Sequence, residues 1–243
     1  MKRTIYLAVI TLITIGCVLY GVFRFSNRAI PFSLGNANYS TEESASLEAF
    51  DRIAVDALVM DLIVKEGSDY SLDYRATENL VMAYKVENGK LIISQKKKGS
   101  MIGNNSAVLT LTVPADTQLE RVDVGIDVGD VELKNLNADY IEADVDVGDI
   151  TVEHAALGQG VIESDTGDVK VKNSSFVQLD ISSDVGDVDV ESSIDISDYS
   201  YDLKTDVGEV EVYTSDYGKK YIKDGKNGKV YIRADVGDIS VGE

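Results

Sequence analysis

Asp127-Val128-Gly129-Asp130-Val131-Glu132-Leu133 is the phrase around which the chain is built, because it is written five more times before the C-terminus. It returns as Asp146-Val147-Gly148-Asp149-Ile150-Thr151-Val152, as Asp165-Thr166-Gly167-Asp168-Val169-Lys170-Val171 and as Asp184-Val185-Gly186-Asp187-Val188-Asp189-Val190. Two further copies are Asp206-Val207-Gly208-Glu209-Val210-Glu211-Val212 and Asp235-Val236-Gly237-Asp238-Ile239-Ser240-Val241. The glycines at 129, 148, 167 and 186 are 19 residues apart, and the spacing then widens to 22 and 29. A fixed period near twenty is the signature of a stacked repeat architecture.

The chemistry of the phrase says what each repeat does. Glycine takes backbone angles closed to other residues, and a flanking Asp can bond nearby amides, so the Gly-Asp pair is a corner. The apolar-polar-apolar alternation after it is a half-buried strand. A second strand lies upstream: three places before each opening Asp stand Ala143, Ile162, Ile181, Leu203 and Ile232, and five places before stand Ile141, Gly160, Leu179, Tyr201 and Val230. The expected fold is therefore all-β, a β-solenoid of stacked coils of about 19 residues, each contacting only its neighbours at about 4.8 Å. Stacking also aligns carboxylates, among them Asp130, Asp149, Asp168 and Asp187. Such a column is either a ladder of carboxylates bonded to backbone amides or a row of Ca²⁺ sites, since hard cations collect oxygens. The glycine-rich nine-residue phrase of calcium-binding β-helices is absent, which favours the ladder.

Outside the repeats, Met1-Lys2-Arg3 precedes Thr4 to Phe23, twenty residues without charge, closed by Arg24 and Arg28. As a helix this run is about 30 Å long, the thickness of a bilayer core. No small-residue cleavage site follows, so residues 1–28 read as an uncleaved single-pass membrane anchor with the bulk of the chain outside the cytoplasmic membrane. Lipid attachment at Cys17 is the alternative, and a cytoplasmic-facing orientation is left open by the weak charge bias. Residues 29–49 read as linker, residues 50–120 as an N-terminal β cap region and residues 121–243 as the solenoid.

Composition narrows the function. The 243 residues carry a formal charge of −19, and without Lys2, Arg3, Arg24 and Arg28 the remainder stands at −23. That field repels nucleic acid and anionic lipid and attracts cations or basic partners. One stretch has the opposite sign: the widest repeat holds Tyr217 to Lys229, with Lys219, Lys220, Tyr221, Lys223, Lys226 and Lys229 as a candidate partner-binding loop, to an envelope polymer or an acidic protein. Insertions in solenoids are often the binding face.

Catalysis is not signalled. The single His154 and single Cys17 cannot form a nucleophile–base pair or a zinc site, and His154 reads as a surface or corner residue. No phosphate loop is present and no cofactor is implied. Paired carboxylates for hydrolysis of an envelope polymer are abundant, but they repeat with the fold's own period and none is singled out.

An alternating strand ending in Leu111-Thr112-Val113-Pro114, followed by Gly-Asp-Val/Ile-x-Val phrases about twenty residues apart, resembles the bacterial "putative adhesin" β-strand-repeat domain of unknown function. Behind an N-terminal anchor it is similar to the LiaG-type membrane proteins encoded with envelope stress-response systems. The resemblance implies a surface-exposed solenoid at the cell envelope of Gram-positive-type bacteria. It brings no catalytic residues.

Overall fold

A computed structural model describes residues 39–98 and 105–242. The Thr4–Phe23 run, Cys17 and the flanking arginines lie outside the described residues. Everything described is strand, turn or irregular chain, without helix.

Each central repeat makes one coil with two strands. Gln118–Val128, Asn137–Val147, Ala156–Thr166 and the second half of Val169–Val185 lie parallel in one sheet, with Val122 beside Ile141, Ile141 beside Gly160 and Gly160 beside Leu179. The shorter strands Val131–Lys134, Ile150–Glu153, the first half of Val169–Val185 and Val188–Ser192 form the facing sheet. Parallel pairing at a constant offset places each glycine over the previous glycine, and the inward residues become columns. Leu62, Val131, Ile150, Val169, Val188, Ile239 and Val210 form one such column, none more than 1% exposed. The upstream apolar positions form another, with Ala143, Ile162, Ile181, Ile232 and Leu203 side by side and buried. Each fully buried valine or isoleucine contributes about 1.5–3 kcal/mol, so stability is spread along the stack.

Coil order in space differs from coil order in the chain. The C-terminal strand Lys229–Val236 is wedged between the second half of Val169–Val185 and Ser200–Val207: Val230 faces Leu179 on one side and Tyr201 on the other. The Gly237 coil therefore sits directly on the Gly186 coil, and the Gly208 coil lies outermost of the three. The physical reason is that all three carry the same corner phrase and the same inward columns, so the repeat cannot tell the chain which place to fill first. The longer segment between Gly208 and Gly237 gives it reach to return.

The same device operates at the other end. Arg52–Val59 and Asp61–Gly67 form a coil packed on the Gly129 coil, with Met60 at the corner where the later copies have glycine. On their far sides lie Lys90–Lys97 and Ala107–Pro114. The regular stack thus starts within residues 50–120, and Gln118 already belongs to the first central coil. Part of the segment read as linker is structured too: Thr41–Ser46 is a strand antiparallel to Ser71–Ala76.

Both ends of the parallel stack are closed by antiparallel strands, Thr41–Ser46 and Leu80–Glu87 at one end, Ser215–Asp216 and Lys220–Lys223 at the other. Open edges invite pairing with other chains, and polar or lysine-bearing edge strands discourage it. Near the first end Gln95, 6% exposed, completes the corner: its carbonyl accepts from the amides of Leu58 and Val59, and its side-chain amide donates to the carbonyl of Val59 and to the Tyr74 hydroxyl.

Candidate functional site

The carboxylate column is a ladder of hydrogen bonds from one coil to the next. The amide of Asp149 donates to Asp130 Oδ1 at 2.9 Å, that of Asp168 to Asp149 Oδ1 at 2.9 Å, and that of Asp187 to Asp168 Oδ1 at 3.1 Å. It continues in spatial order, with Asp238 donating to Asp187 and Glu209 to Asp238, both at 2.9 Å. At the opposite end Asp61, absent from the sequence pattern, accepts from the Asp130 amide at 3.2 Å. Neighbouring unit charges at about 4.8 Å repel by about 1 kcal/mol in water, and an amide bond to a charged acceptor returns a similar amount. The two effects offset, which is why an acidic column can be tolerated as structure.

Glycine is required beside the ladder because the coils touch there. Gly148 has φ +149, and a Cβ on it would stand 2.0 Å from the carbonyl oxygen of Gly129. Only a Cα–H can approach that oxygen.

Environment separates the acids. Burial is the largest influence on Asp61 and, with the charges of Asp130 and Glu132, raises its carboxyl above the ordinary value despite the bond from the Asp130 amide. Burial also acts most strongly on Asp168, but the hydrogen bonds from Lys170 and the Asp187 amide outweigh it and hold the carboxyl low. Lys170, 3.0 Å from Asp168, is raised in turn by that bond. Among the described residues no group of three or more His, Cys, Asp or Glu is placed to hold a metal ion.

His154 occupies the opposite corner, where the chain passes through left-handed backbone at Asn135 (φ 53), His154 (φ 53) and Asn173 (φ 47) in successive coils. Asn and His tolerate this conformation better than most residues. The His154 ring is more than half exposed, with Glu153 at 3.7 Å as its acidic neighbour. Its position is explained by the corner, and among the described residues no hydroxyl or thiol is hydrogen-bonded to it.

The basic insertion is the outer closure of the stack. Lys220–Lys223 pairs antiparallel with Ser200–Val207, placing Lys220 opposite Lys204 and Tyr221 opposite Leu203. Lys219 Nζ donates to the carbonyl of Asp206 and Lys223 Nζ to that of Ser197. Tyr221 packs against Tyr201 and Tyr217, with ring centroids 5.6 and 4.4 Å away. Lys219, Lys220, Tyr221 and Lys223 are thus brought together. Lys226 lies in the following turn, tied through its amide to Asp198. Lys229 is separated from them, in the strand two places inward. Sequence reasoning missed Lys204, which stands opposite Lys220, and Arg233, which stands beside Lys204 one strand further in, on the same strand as Lys229. The cap strand folding back on Ser200–Val207 sets Lys204 opposite Lys220, and the swapped coil order sets Arg233 beside Lys204. Arg233 is held by Asp202 at 2.8 Å and Lys204 by Asp206 at 2.5 Å, whereas Lys220 is exposed with no ion pair among the described residues.

No curated protein matches the chain. Among solved structures it is similar to a "putative cell adhesion protein" from Clostridium sporogenes, at 12% identity over 83% of this chain and 98% of that one, with a TM-score of 0.48. It is also similar to a "putative adhesin" from Bacteroides fragilis, at 14% identity over 84% and 96% of the two chains, with a TM-score of 0.46. The Toastrack DUF4097 family pattern matches residues 50–242, which contain every coil described above, and the chain belongs to that family.

Proposed function

We propose that the protein is a non-enzymatic interaction module, held at the cell membrane by its N-terminal apolar run, that displays the β-stack outside the cytoplasmic membrane and contacts an anionic envelope polymer through its outer cap. The observation that carries this reading is the basic outer strand at one end of the stack, in a chain whose net charge is −19: Lys220 faces Lys204 across the cap pairing, with Arg233 beside Lys204 one strand further in, while Lys223 lies on the other face with the Tyr201, Tyr221 and Tyr217 rings. The ladder acids are engaged with backbone and serve the fold, whereas the cap offers cationic and aromatic chemistry, suited to phosphate or carboxylate groups on a flexible polymer. A role in envelope stress is consistent with the resemblance of the anchored chain.

Co-sedimentation of the full chain with purified cell-wall material tests this. Binding should be lost when the anionic polymer is stripped from the wall. It should fall at least about tenfold in Lys219→Ala/Lys220→Ala/Lys223→Ala, the loss expected when roughly 1.4 kcal/mol of contact is removed. Equal binding by stripped wall, or by the triple variant, refutes the reading. Capture of an acidic protein by the same cap would redirect it to a protein partner. An enzyme would instead show turnover that collapses on replacing one or two particular carboxylates.

A further inference from the structure

The glycine corner has an outer flank that the ladder does not use. Val128, Val147, Thr166, Val185, Val236 and Val207 stand in one column, each beside the next across the stack. The five valines are 45–60% exposed, in repeats whose other strand valines are largely buried. Immediately before them run Asp127, Asp146, Asp165, Asp184, Asp235 and Asp206, all exposed. Two places after them runs the amide-bonded ladder. An apolar ridge therefore lies between two rows of carboxylates.

The fold does not dictate valine on this ridge. Thr166 fills the same place between Val147 and Val185, and its β-branch suits a strand equally well while its hydroxyl is better hydrated. Nor are the flanking charges answered from within: among the described residues, Asp206 alone of the outer row has a cationic partner, Lys204, and Asp168 alone of the ladder, Lys170.

We propose that this corner docks a cationic amphipathic helix of a partner protein. Charge complementarity selects a cationic occupant, and spacing selects a helix. The stack repeats at about 4.8 Å and a helix at 5.4 Å per turn, so an apolar stripe drifts by only about 3 Å over the five steps from Val128 to Val207. One face of an extended strand repeats at about 6.8 Å and drifts by about 10 Å over the same distance. About 16 helical residues cover the roughly 24 Å ridge, with lysines or arginines beside the stripe reaching both acidic rows. This surface meets the basic cap only at its outermost position, where Asp206 accepts from Lys204 and Lys219, and its other five positions do not depend on what the cap binds.

The probe is a synthetic 18-residue leucine–lysine peptide with one apolar stripe, read by fluorescence anisotropy against the full chain in zwitterionic detergent, with protein-free micelles as baseline. Binding should weaken at least tenfold in Val147→Thr/Val185→Thr/Val236→Thr, whose fold Thr166 vouches for, and also in Asp146→Asn/Asp165→Asn/Asp184→Asn. It should weaken similarly for a scrambled peptide without the stripe. Lys220→Ala/Lys223→Ala should leave it unchanged. The proposal is overturned if no binding above baseline occurs, if scrambled peptide or oligolysine binds as well, if the threonine variant keeps the parent affinity, or if the cap variant abolishes binding.

Discussion

Gly148→Ala places a methyl group 2.0 Å from the carbonyl oxygen and 2.6 Å from the carbonyl carbon of Gly129, at a backbone angle of φ +149. That conformation is essentially confined to glycine and costs other residues on the order of 1–3 kcal/mol. Relief of the clash means parting two coils by more than an ångström. That weakens the bonds between them, including Gly129 amide to Val147 carbonyl and Asp149 amide to Asp130 Oδ1, both 2.9 Å and each worth about 1 kcal/mol. The total is about 3–5 kcal/mol, and at 2–4 °C per kcal/mol for a domain of this size the melting temperature should fall by roughly 6–20 °C. Gly218→Ala is the internal control. Its φ is +66, but a Cβ there meets nothing within 4 Å, so only the left-handed backbone cost of about 1 kcal/mol applies. Circular dichroism and tyrosine fluorescence can both follow melting, since the chain has 13 Tyr and no Trp, and coincident transitions would show whether the stack melts as one unit. A Gly148→Ala protein that melts no earlier than Gly218→Ala refutes close coil contact at the glycine corner.

Asp61→Asn keeps an acceptor for the Asp130 amide and removes a half-buried charge. At neutral pH it should raise the melting temperature by about 1–3 °C, the scale of one neighbouring-carboxylate repulsion. Because burial lifts the folded-state pKa of Asp61, its ionised form costs stability above that pKa and the cost is relieved as pH falls through it, so the advantage of the variant should shrink in mild acid. Asp168 has the opposite sign: its depressed carboxyl adds stability that is present above its unfolded pKa and lost as acid protonates it, and titration of Asp168→Asn by thermal melts should remove that component. Gln95→Leu strands the Leu58 and Val59 amides and the Val59 carbonyl, and should cost about 2–4 kcal/mol in urea unfolding. His154→Asn should be neutral within about 0.5 kcal/mol, whereas His154→Val, a β-branched residue forced into left-handed backbone, should cost about 1–2 kcal/mol.

The basic cap shows where reading along the chain stops. The lysine run from Lys219 to Lys229 is conspicuous as sequence, but a list of residues carries no information about which strand lies beside which. Lys204 faces Lys220 because the cap strand folds back on Ser200–Val207, and Arg233 comes beside Lys204 because the Gly237 coil fills the place between the Gly186 and Gly208 coils, which also carries Lys229 to that inner strand. The valine ridge was in view too, as the second residue of five of the six phrases, but exposure cannot be read from a residue that is equally at home in a buried strand.

By itself the sequence determined the all-β class, the coil length, the glycine corner and the inward columns, because these depend on local chemistry repeated at a constant interval: turn residues, period-two alternation and their alignment. Tertiary structure alone decided the order of the coils at both ends, the recruitment of Asp61 and Met60 into a corner whose phrase they lack, and the antiparallel strands that close the stack. Those features rest on equivalent edges competing for the same strand, and equivalent edges are settled by chain reach and packing that no local pattern encodes.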